Sequence, residues 1–251
     1  MRLRTTQAAG TPPVVAAPSF VVPGAIPENC AFLEPLVDEV ALCFFETRAC
    51  LEYGEDDLPK HLARHALTYH VHLPLDLPDD PGELRASLIG LAEKAAFLAP
   101  RFYVLHPPPT EALLRTAVAA LAKAGVPPGD ILLENVGSPP IAPLLPLAYD
   151  FGMHFCLDIG HFLRLGEREI LKDETLLSRT RCLHVYAPDP VGSGRHHKLS
   201  LLDDKGLAFL DDLVSRLPHL EAVVLEIFDR HGFERSLATW QARYPHLEGV
   251  R

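Results

Sequence analysis

Short apolar runs alternate about eight times with longer segments along this sequence, and that alternation is its most constraining feature. It is typical of parallel strands joined by crossover helices. Two intervening segments, 81–100 and 110–125, have helical periodicity, with Pro81 suited to a first helical turn and Gly125 to a C-terminal cap. The sequence therefore predicts an α/β fold, a (β/α)8 TIM barrel. The predicted strands lie near 17–23, 39–46, 67–75, 102–108, 131–136, 154–161, 182–188 and 222–228.

The length of the chain favours a single domain. It has 251 residues, 48% of them hydrophobic, which is enough for a buried core and within the usual size of one barrel. We predict a flexible N-terminal tail at residues 1–13 and the barrel at residues 14–251. The N-terminus lacks the continuous apolar stretch of a signal peptide, and no later run approaches the length of a membrane span. We therefore expect a cytoplasmic protein with no membrane partner.

Charge and cysteine content narrow the classes of partner. Lys and Arg number 23 against 33 Asp and Glu, a formal net charge of −10, so the general field of the molecule repels polyphosphate. We expect no nucleic-acid partner on this ground.

The five cysteines are odd in number and form no CxxC pair, which indicates reduced structural thiols.

A single acid or histidine stands near the C-terminal end of nearly every predicted strand. Side chains alternate faces along a strand, so His184 lies opposite Leu183 and Val185, and the same parity turns Asp158 and Glu226 inward. Active sites of this barrel lie at the C-terminal ends of the strands. The sequence therefore directs several ligand-type side chains into one mouth. The set is Glu46, His72, His106, Glu134, Asp158, His184 and Glu226.

These converging side chains predict a metal centre. Any one of them alone is more often a solvated loop residue or a hydrogen-bonded core group. Together, carboxylates and imidazoles would repel and be costly to desolvate unless a cation neutralised them. Asp158 and His161 are spaced so that both can reach one ion or adjacent ions. The segment VGSGRHHKLS adds His196 as a ligand and Arg195 with Lys198 as cations for an anionic substrate.

Other histidines are assigned elsewhere. His61 and His65 have the spacing of a helical metal pair but precede a strand, so we predict that they lie on the surface at the opposite end of the barrel. His70 shares the inward parity of the site but lies deeper, where a buried, hydrogen-bonded histidine is at least as reasonable as a ligand.

The ordered set of motifs resembles the xylose isomerase-like barrel superfamily and, within it, the endonuclease IV branch. The resemblance implies that these residues bind up to three divalent ions. Gly194 stands where that branch has an aspartate before Arg195, so we expect about two ions, zinc or manganese. The matching residues are His72 in HLPL, His106 in LHPP, Glu134 in LLENV, Asp158 and His161 in LDIGH, His184 in LHVYAP, His196 in GRHH, and Glu226 in LEIF.

The N-terminal half more closely resembles the cobamide-remodelling phosphodiesterases. The resemblance is carried by Ser19 and Phe20 in PSFVVP, by PEN at residues 27–29, by Phe45 and Glu46, and by the segment HLPLDL. It implies a metal-dependent hydrolase that cleaves the nucleotide-loop phosphodiester of cobamides and releases a cobinamide product. The substrate would be a small-molecule corrinoid.

For that reaction we assign roles to individual residues. Glu134 and Glu226 are the candidate catalytic residues, with Glu134 placed to bridge two ions. Ser19, Phe20 and Glu46 are expected to bind substrate beside the metal site, and Arg195 and Lys198 to bind the anion. One ion is assigned to His72, His106 and Glu134, another to Glu134, Asp158, His184 and Glu226, with His161 and His196 supporting a third or contacting phosphate.

Three other functions compete. A sugar isomerase or epimerase of the same superfamily needs one ion, held by the residues matching Glu134, Asp158, His184 and Glu226, and has no use for the additional histidines. An apurinic-site endonuclease would need a basic, groove-inserting surface that this acidic chain with short loops lacks. A metal-storing or degenerate barrel that binds a ligand without turnover is the non-catalytic alternative.

Overall fold

The computed structural model describes residues 12–189, 191 and 194–247, and its centre is a closed barrel of eight parallel strands. The barrel order is β1-β10-β7-β6-β5-β4-β3-β2, closed because β1 pairs with both β10 and β2. β8 and β9 form a separate antiparallel pair. The predicted single-domain (β/α)8 barrel is confirmed. The strands are β1 (Val14–Pro18), β2 (Glu39–Cys43), β3 (Thr68–His72), β4 (Tyr103–Leu105), β5 (Ile131–Glu134), β6 (His154–Asp158), β7 (Thr180–Val185), β8 (Ala187–Pro188), β9 (His196–His197) and β10 (Ala222–Leu225).

Helices occupy the connections between the barrel strands. Short 3-10 turns precede or extend several of them, at Lys60–Arg64, Ala96–Leu98, Pro128–Asp130, Ala142–Leu144, Arg168–Lys172, Leu199–Leu201 and Pro245–Leu247. In the described part of the chain, no helix combines the length and the hydropathy needed to cross a bilayer. The α-helices are α1 (Ile26–Leu33), α2 (Thr47–Glu52), α3 (Pro81–Ala95), α4 (Glu111–Lys123), α5 (Leu145–Asp150), α6 (Ile159–Leu165), α7 (Glu174–Ser178), α8 (Asp204–Ser215) and α9 (Arg230–Arg243).

The two longest predicted helices form where their end signals lie. The side chain of Asp80 accepts hydrogen bonds from the backbone N–H of Gly82 and Glu83, and Pro81 begins α3. α4 starts after Thr110, whose hydroxyl accepts from the backbone N–H of Leu113. Gly125 follows the end of α4 with φ +88°, the left-handed conformation in which glycine carries no steric cost.

The predicted position of the first strand is wrong by several residues. We expected residues 17–23, whereas β1 spans Val14–Pro18. The apolar segment after it is a turn, because the Asn29 side chain accepts from the backbone N–H of Val21 at 2.7 Å and of Val22 at 2.8 Å. The other predicted strands run past their observed C-terminal ends, because residues such as Glu46, His106 and Glu226 lie beyond the last strand residue. β7 also begins at Thr180, two residues before its predicted start. Residues 1–11 of the predicted tail lie outside the described residues.

The barrel interior contains several small side chains. Ala16, Ala41 and Ala222 are packed there with Cys156 and Cys182 in a cluster separate from the larger core outside the strands. All five cysteines are buried and unpaired, in agreement with the prediction of reduced structural thiols. Small residues leave the inward-facing acids and histidines at the upper end enough room to converge.

An ionic network closes the lower, N-terminal end of the barrel. The Glu39 carboxylate is fully buried and accepts from Arg101 at 2.6 Å and from the Thr68 hydroxyl at 2.9 Å. Its other oxygen lies 2.7 Å from His70 Nδ1. These contacts hold the pKa of Glu39 at about 2: burial, the largest influence, would raise it, but His70 and Arg101 outweigh burial.

The ring of Phe102 lies at the centre of this lower end. It stacks on His70 with centroids 4.5 Å apart, and the guanidinium carbons of Arg101 and Arg181 lie 5.7 Å from its centroid. Both arginines also bind Glu221, at 3.0 Å and 2.7 Å. The arginines and glutamates at the lower end of the barrel therefore pair with one another and stabilise the fold.

Candidate metal centre

The Glu134 carboxylate, at the end of β5, is the centre of the upper cluster. His72 Nε2 and His106 Nε2 each lie 3.1 Å from its Oε2 atom, and His184 Nδ1 lies 2.8 Å from Oε1. Glu134 is 2% exposed. Three imidazoles from β3, from the end of β4 and from β7 thus meet one buried carboxylate, as strand parity predicted.

Glu226 and Asp158 form the other half of the cluster. Glu226 Oε2 lies 3.7 Å from His184 Nδ1 and 3.2 Å from His196 Nδ1. Asp158 is buried at the end of β6, and its Oδ1 accepts from the backbone N–H of His161 at 2.8 Å, which also caps α6. His161 Nε2 lies 3.7 Å from Asp158 Oδ2.

Asn135 holds the Asp158 backbone in place and was not identified from the sequence. Its side-chain oxygen accepts from the Asp158 N–H at 2.7 Å, and its amide donates to the Asp158 carbonyl at 3.2 Å. The residue is buried. Its position directly after Glu134 in LLENV is the only sequence signal, because the contact spans β5 and β6.

The donor atoms of these residues are close enough to share cations. Three groups have donor atoms within 4.8 Å of one another: His72, His106 and Glu134; His72, His184 and Glu226; and Glu134, Asp158 and His184. His72, Glu134 and His184 each belong to two of these groups. Mixed imidazole and carboxylate donors suit zinc or manganese. The residues present therefore fit divalent metal ions, with overlapping groups that accommodate more than one.

The charges at the site also favour a cation. Burial, the largest influence on all three carboxylates, disfavours their ionised forms. Nearby imidazoles, above all His184, nevertheless hold the pKa of Glu134 well below its usual range and that of Glu226 at about 2. The pKa of Asp158 is raised well above its usual value by burial and by the charges of Glu226 and Glu134. A divalent ion would relieve this repulsion.

The histidines have different electrostatic environments. Burial acts most strongly on His184 and lowers its pKa, but Glu134 and Glu226 outweigh burial and leave that pKa well above the usual value. The pKa of His72 is raised for the same reason, against burial, by Glu134. In contrast, burial lowers the pKa of His161 to about 4. His161 is thus a neutral donor near pH 7, as metal binding requires.

A cavity of about 300 Å³ opens above the cluster. The predicted residues that line it are His72, His106, Glu134, Asp158, His161, Arg195, His196 and Glu226, with His184 buried beneath them. Arg164, on α6, also lines the cavity, and its guanidinium donates to His161 Nδ1 at 3.1 Å. This cation was not identified from the sequence, because a helix surface arginine has no distinguishing local pattern.

The remaining predicted substrate residues lie around or below the mouth. Ser19 is fully buried, and its hydroxyl accepts from the backbone N–H of Cys43 at 3.1 Å. Phe20 is half-buried and contacts Phe45. Glu46 is exposed at the start of α2, and Lys198 is half-buried before a 3-10 turn; neither lines the cavity. The proposed roles of these residues in substrate binding stay predictions.

The loop after β7 is fixed by ring stacking. The rings of Tyr186 and His196 lie 3.6 Å apart and nearly parallel, at 5°. Gly160 makes this position of Tyr186 possible, since a Cβ atom at residue 160 would lie 2.2 Å from the ring. Gly194, where the predicted third site lacks a ligand, has φ +78°.

The histidines assigned elsewhere lie away from the cluster. His61 is exposed in the 3-10 turn before β3, and His65 Nδ1 lies 2.8 Å from Glu34. His70 is fully buried and belongs to the lower ionic network.

Comparison with solved structures relates this barrel to proteins of known fold. Endonuclease IV from Thermus thermophilus matches with a TM-score of 0.67 and 19% identity, over 93% of this chain and 100% of that chain. D-Psicose 3-epimerase from Clostridium cellulolyticum H10 matches with a TM-score of 0.67 and 12% identity, over 94% and 100%. The barrel therefore shares its fold with an endonuclease IV and with a sugar epimerase.

A third similar structure has higher sequence identity. The TTHB071 protein, also from Thermus thermophilus and studied after soaking with ZnCl2, is 25% identical, with a TM-score of 0.63 over 94% of this chain and 98% of that chain. No protein-family model and no curated protein matches the sequence.

Proposed function

We propose that this chain is a metal-dependent phosphodiesterase that hydrolyses the nucleotide-loop phosphodiester of cobamides and releases a cobinamide product. The observation that carries the proposal is the double set of donor atoms around Glu134, one group containing His72 and His106 and another containing Asp158 and His184. A single-ion isomerase has no evident use for His72 and His106, whereas phosphodiester cleavage commonly uses two adjacent ions.

Two groups of residues would hold the ions. His72, His106 and Glu134 form one group, and the other consists of Glu134, Asp158, His184 and Glu226. When bound, divalent ions supply a water of lowered pKa and stabilise charge on phosphate oxygens. Asn135 fixes Asp158 through its backbone, which keeps that carboxylate aimed at the cavity.

Other residues of the chain would bind and orient the phosphate. Arg164 and Arg195 line the cavity with guanidinium groups suited to phosphate oxygens. His196 Nδ1 donates to the Glu226 carbonyl at 3.0 Å and lies against Tyr186. The pKa of His196 is raised by Glu226 in spite of burial, so His196 can hold a proton for the departing oxygen.

Charge and similarity support a small phosphodiester substrate. Endonuclease IV shares the fold, which supports phosphodiester chemistry in a barrel of this kind. The net charge of −10 opposes a long polyanion, so a single phosphodiester is the better fit. The ZnCl2 soak of the 25% identical TTHB071 protein supports zinc as one candidate ion.

Sugar epimerisation is the second candidate. Glu134, Asp158 and His184 form a compact donor group that could hold one ion, and the cavity of about 300 Å³ would accept a ketose. The D-psicose 3-epimerase similarity belongs with this candidate.

Product analysis distinguishes the candidates. The metal-loaded protein is incubated separately with a complete cobamide, a duplex containing an abasic site and a panel of ketoses, and the products are resolved by chromatography. We expect a cobinamide species from the first incubation and unchanged material from the others. An intact cobamide together with an epimerised ketose or a cut duplex would contradict the proposal.

A further inference from the structure

Three phenylalanines form one side of the mouth, and we name Phe20, Phe45 and Phe228 the aromatic wall. Phe20 and Phe45 have ring centroids 5.2 Å apart, and Phe45 and Phe228 have centroids 5.7 Å apart. Phe45 and Phe228 line the cavity above the metal cluster. The aromatic wall reaches the candidate metal centre, because the ring centroids of Phe228 and His196 lie 5.4 Å apart.

The wall is exposed where core aromatics are buried. Phe45 is 41% exposed and Phe228 is 38% exposed, and they are the only aromatic residues among the large exposed apolar side chains of residues 12–189, 191 and 194–247. By contrast, Phe44, next to Phe45, is 1% exposed and packs into the core. Exposed aromatic rings gathered in a concave site mark a ligand contact more often than a packing defect.

A cation lies across the mouth from Phe45. Phe20, Phe45 and Phe228 follow β1, β2 and β10, which are adjacent in the barrel. Arg164 lies on α6, which follows β6, and β6 is four strands from β2 in the ring of eight. The cavity therefore combines guanidinium groups suited to an anion with aromatic rings suited to a flat apolar group.

We propose that the aromatic wall binds a planar heterocyclic base that the substrate carries next to its phosphate. Bases stack on aromatic side chains through their faces, and each stack adds measurable affinity. The cavity of about 300 Å³ has room for a phosphate and an attached nucleoside, which would leave a corrin ring outside the mouth. This inference rests on the proposed function and specifies the end of the substrate that enters.

A pair of ligands that differ only in the base tests the wall directly. Binding of AMP and of ribose 5-phosphate to the zinc-loaded protein is measured by calorimetry. We expect AMP to bind about five- to fiftyfold more tightly than ribose 5-phosphate, as base stacking predicts. Phe45→Leu and Phe228→Leu should reduce that ratio severalfold while leaving the affinity for ribose 5-phosphate within about twofold, since leucine keeps apolar volume without a ring face.

Leu75→Ala is the matched control. Leu75 lines the same cavity and is 61% exposed, but it carries no ring. The ratio should be preserved in this variant. Equal binding of AMP and ribose 5-phosphate to the unmodified protein, or an equal loss of preference in Leu75→Ala, would overturn the inference. Because this readout needs no turnover, absence of cobamide cleavage with an intact AMP preference would reject the proposed reaction and keep the wall.

Discussion

The Glu134 carboxylate lies within hydrogen-bonding distance of three imidazoles, so removing its charge should weaken metal binding by the whole group of donor residues. Glu134→Gln keeps the size of the side chain but removes its charge, and we expect a folded protein with turnover reduced at least about a hundredfold, as for loss of a central electrostatic group. Circular dichroism and steady-state rates separate the two effects. The exposed Glu93→Gln variant is the control. A Glu134→Gln protein with near-normal turnover would mean that Glu134 is not at the reacting centre.

Glu39 makes a different residue-scale prediction, because it stabilises the fold and lies far below the site. Its pKa is held at about 2, against 4.5 for an ordinary glutamate, and this corresponds to on the order of 3 kcal/mol. A depressed pKa stabilises the fold above the unfolded-state value, and that contribution is lost as pH falls from about 4.5 towards 2. Glu39→Gln should therefore lower the melting temperature at pH 7, with the difference from wild type shrinking across that window.

Glu55→Gln, at an exposed position in a turn, serves as the comparison for Glu39→Gln and should melt like wild type at every pH. If the Glu39→Gln deficit were the same at pH 3 and pH 7, the carboxylate charge would not be its cause.

Strand parity made the inward direction of the candidate ligand residues predictable one by one. His72, His184 and Glu226 each turn inward because side chains alternate along a strand, and this rule requires no knowledge of neighbours. Asn135 and Arg164 could not be found in that way. Their roles depend on contacts with Asp158 and His161 that exist only once the elements pack together.

At the level of elements, Gly160 in α6 makes room for the ring of Tyr186. Alanine normally stabilises a helix relative to glycine by about 1 kcal/mol. Here the added Cβ would lie 2.2 Å from the ring, so we expect Gly160→Ala to lower stability by roughly 1–3 kcal/mol and to disturb the Tyr186–His196 stack. Denaturant unfolding measures the first effect, and the rate of the proposed phosphodiester hydrolysis measures the second.

Gly54→Ala provides the control for Gly160→Ala, since a Cβ atom there meets nothing within 4 Å. A stabilised Gly160→Ala protein with full activity would show that Tyr186 can move without consequence.

The sequence predicted the type of most elements better than their ends. Alternation of apolar runs with helical segments identified eight strands, but the apolar residues Val21 and Val22 were assigned to a strand. They are held in a turn by Asn29, a residue distant enough that local patterning does not reveal the contact.

For the whole molecule, the number of bound metal ions distinguishes the proposed phosphodiesterase from the epimerase. We expect about two divalent ions per chain by elemental analysis, with a third weak or absent because Gly194 provides no ligand. Chelation should lower the melting temperature, since the ions bind the folded state. His72→Ala or His106→Ala should reduce the content to about one ion, whereas exposed His61→Ala should not. About one ion that is insensitive to His72→Ala and His106→Ala would favour the epimerase.

The closed lower end has a kinetic consequence. Phe102, Arg101 and Arg181 occupy that end, and the cavity lies on the other side of the metal cluster. Ions, substrate and products would then share one route, so a molecule seated on the rim must leave before an ion below it can exchange. A bound phosphate ester should therefore lower the rate at which an excess of chelator removes the metal. The amount of metal finally removed should stay the same.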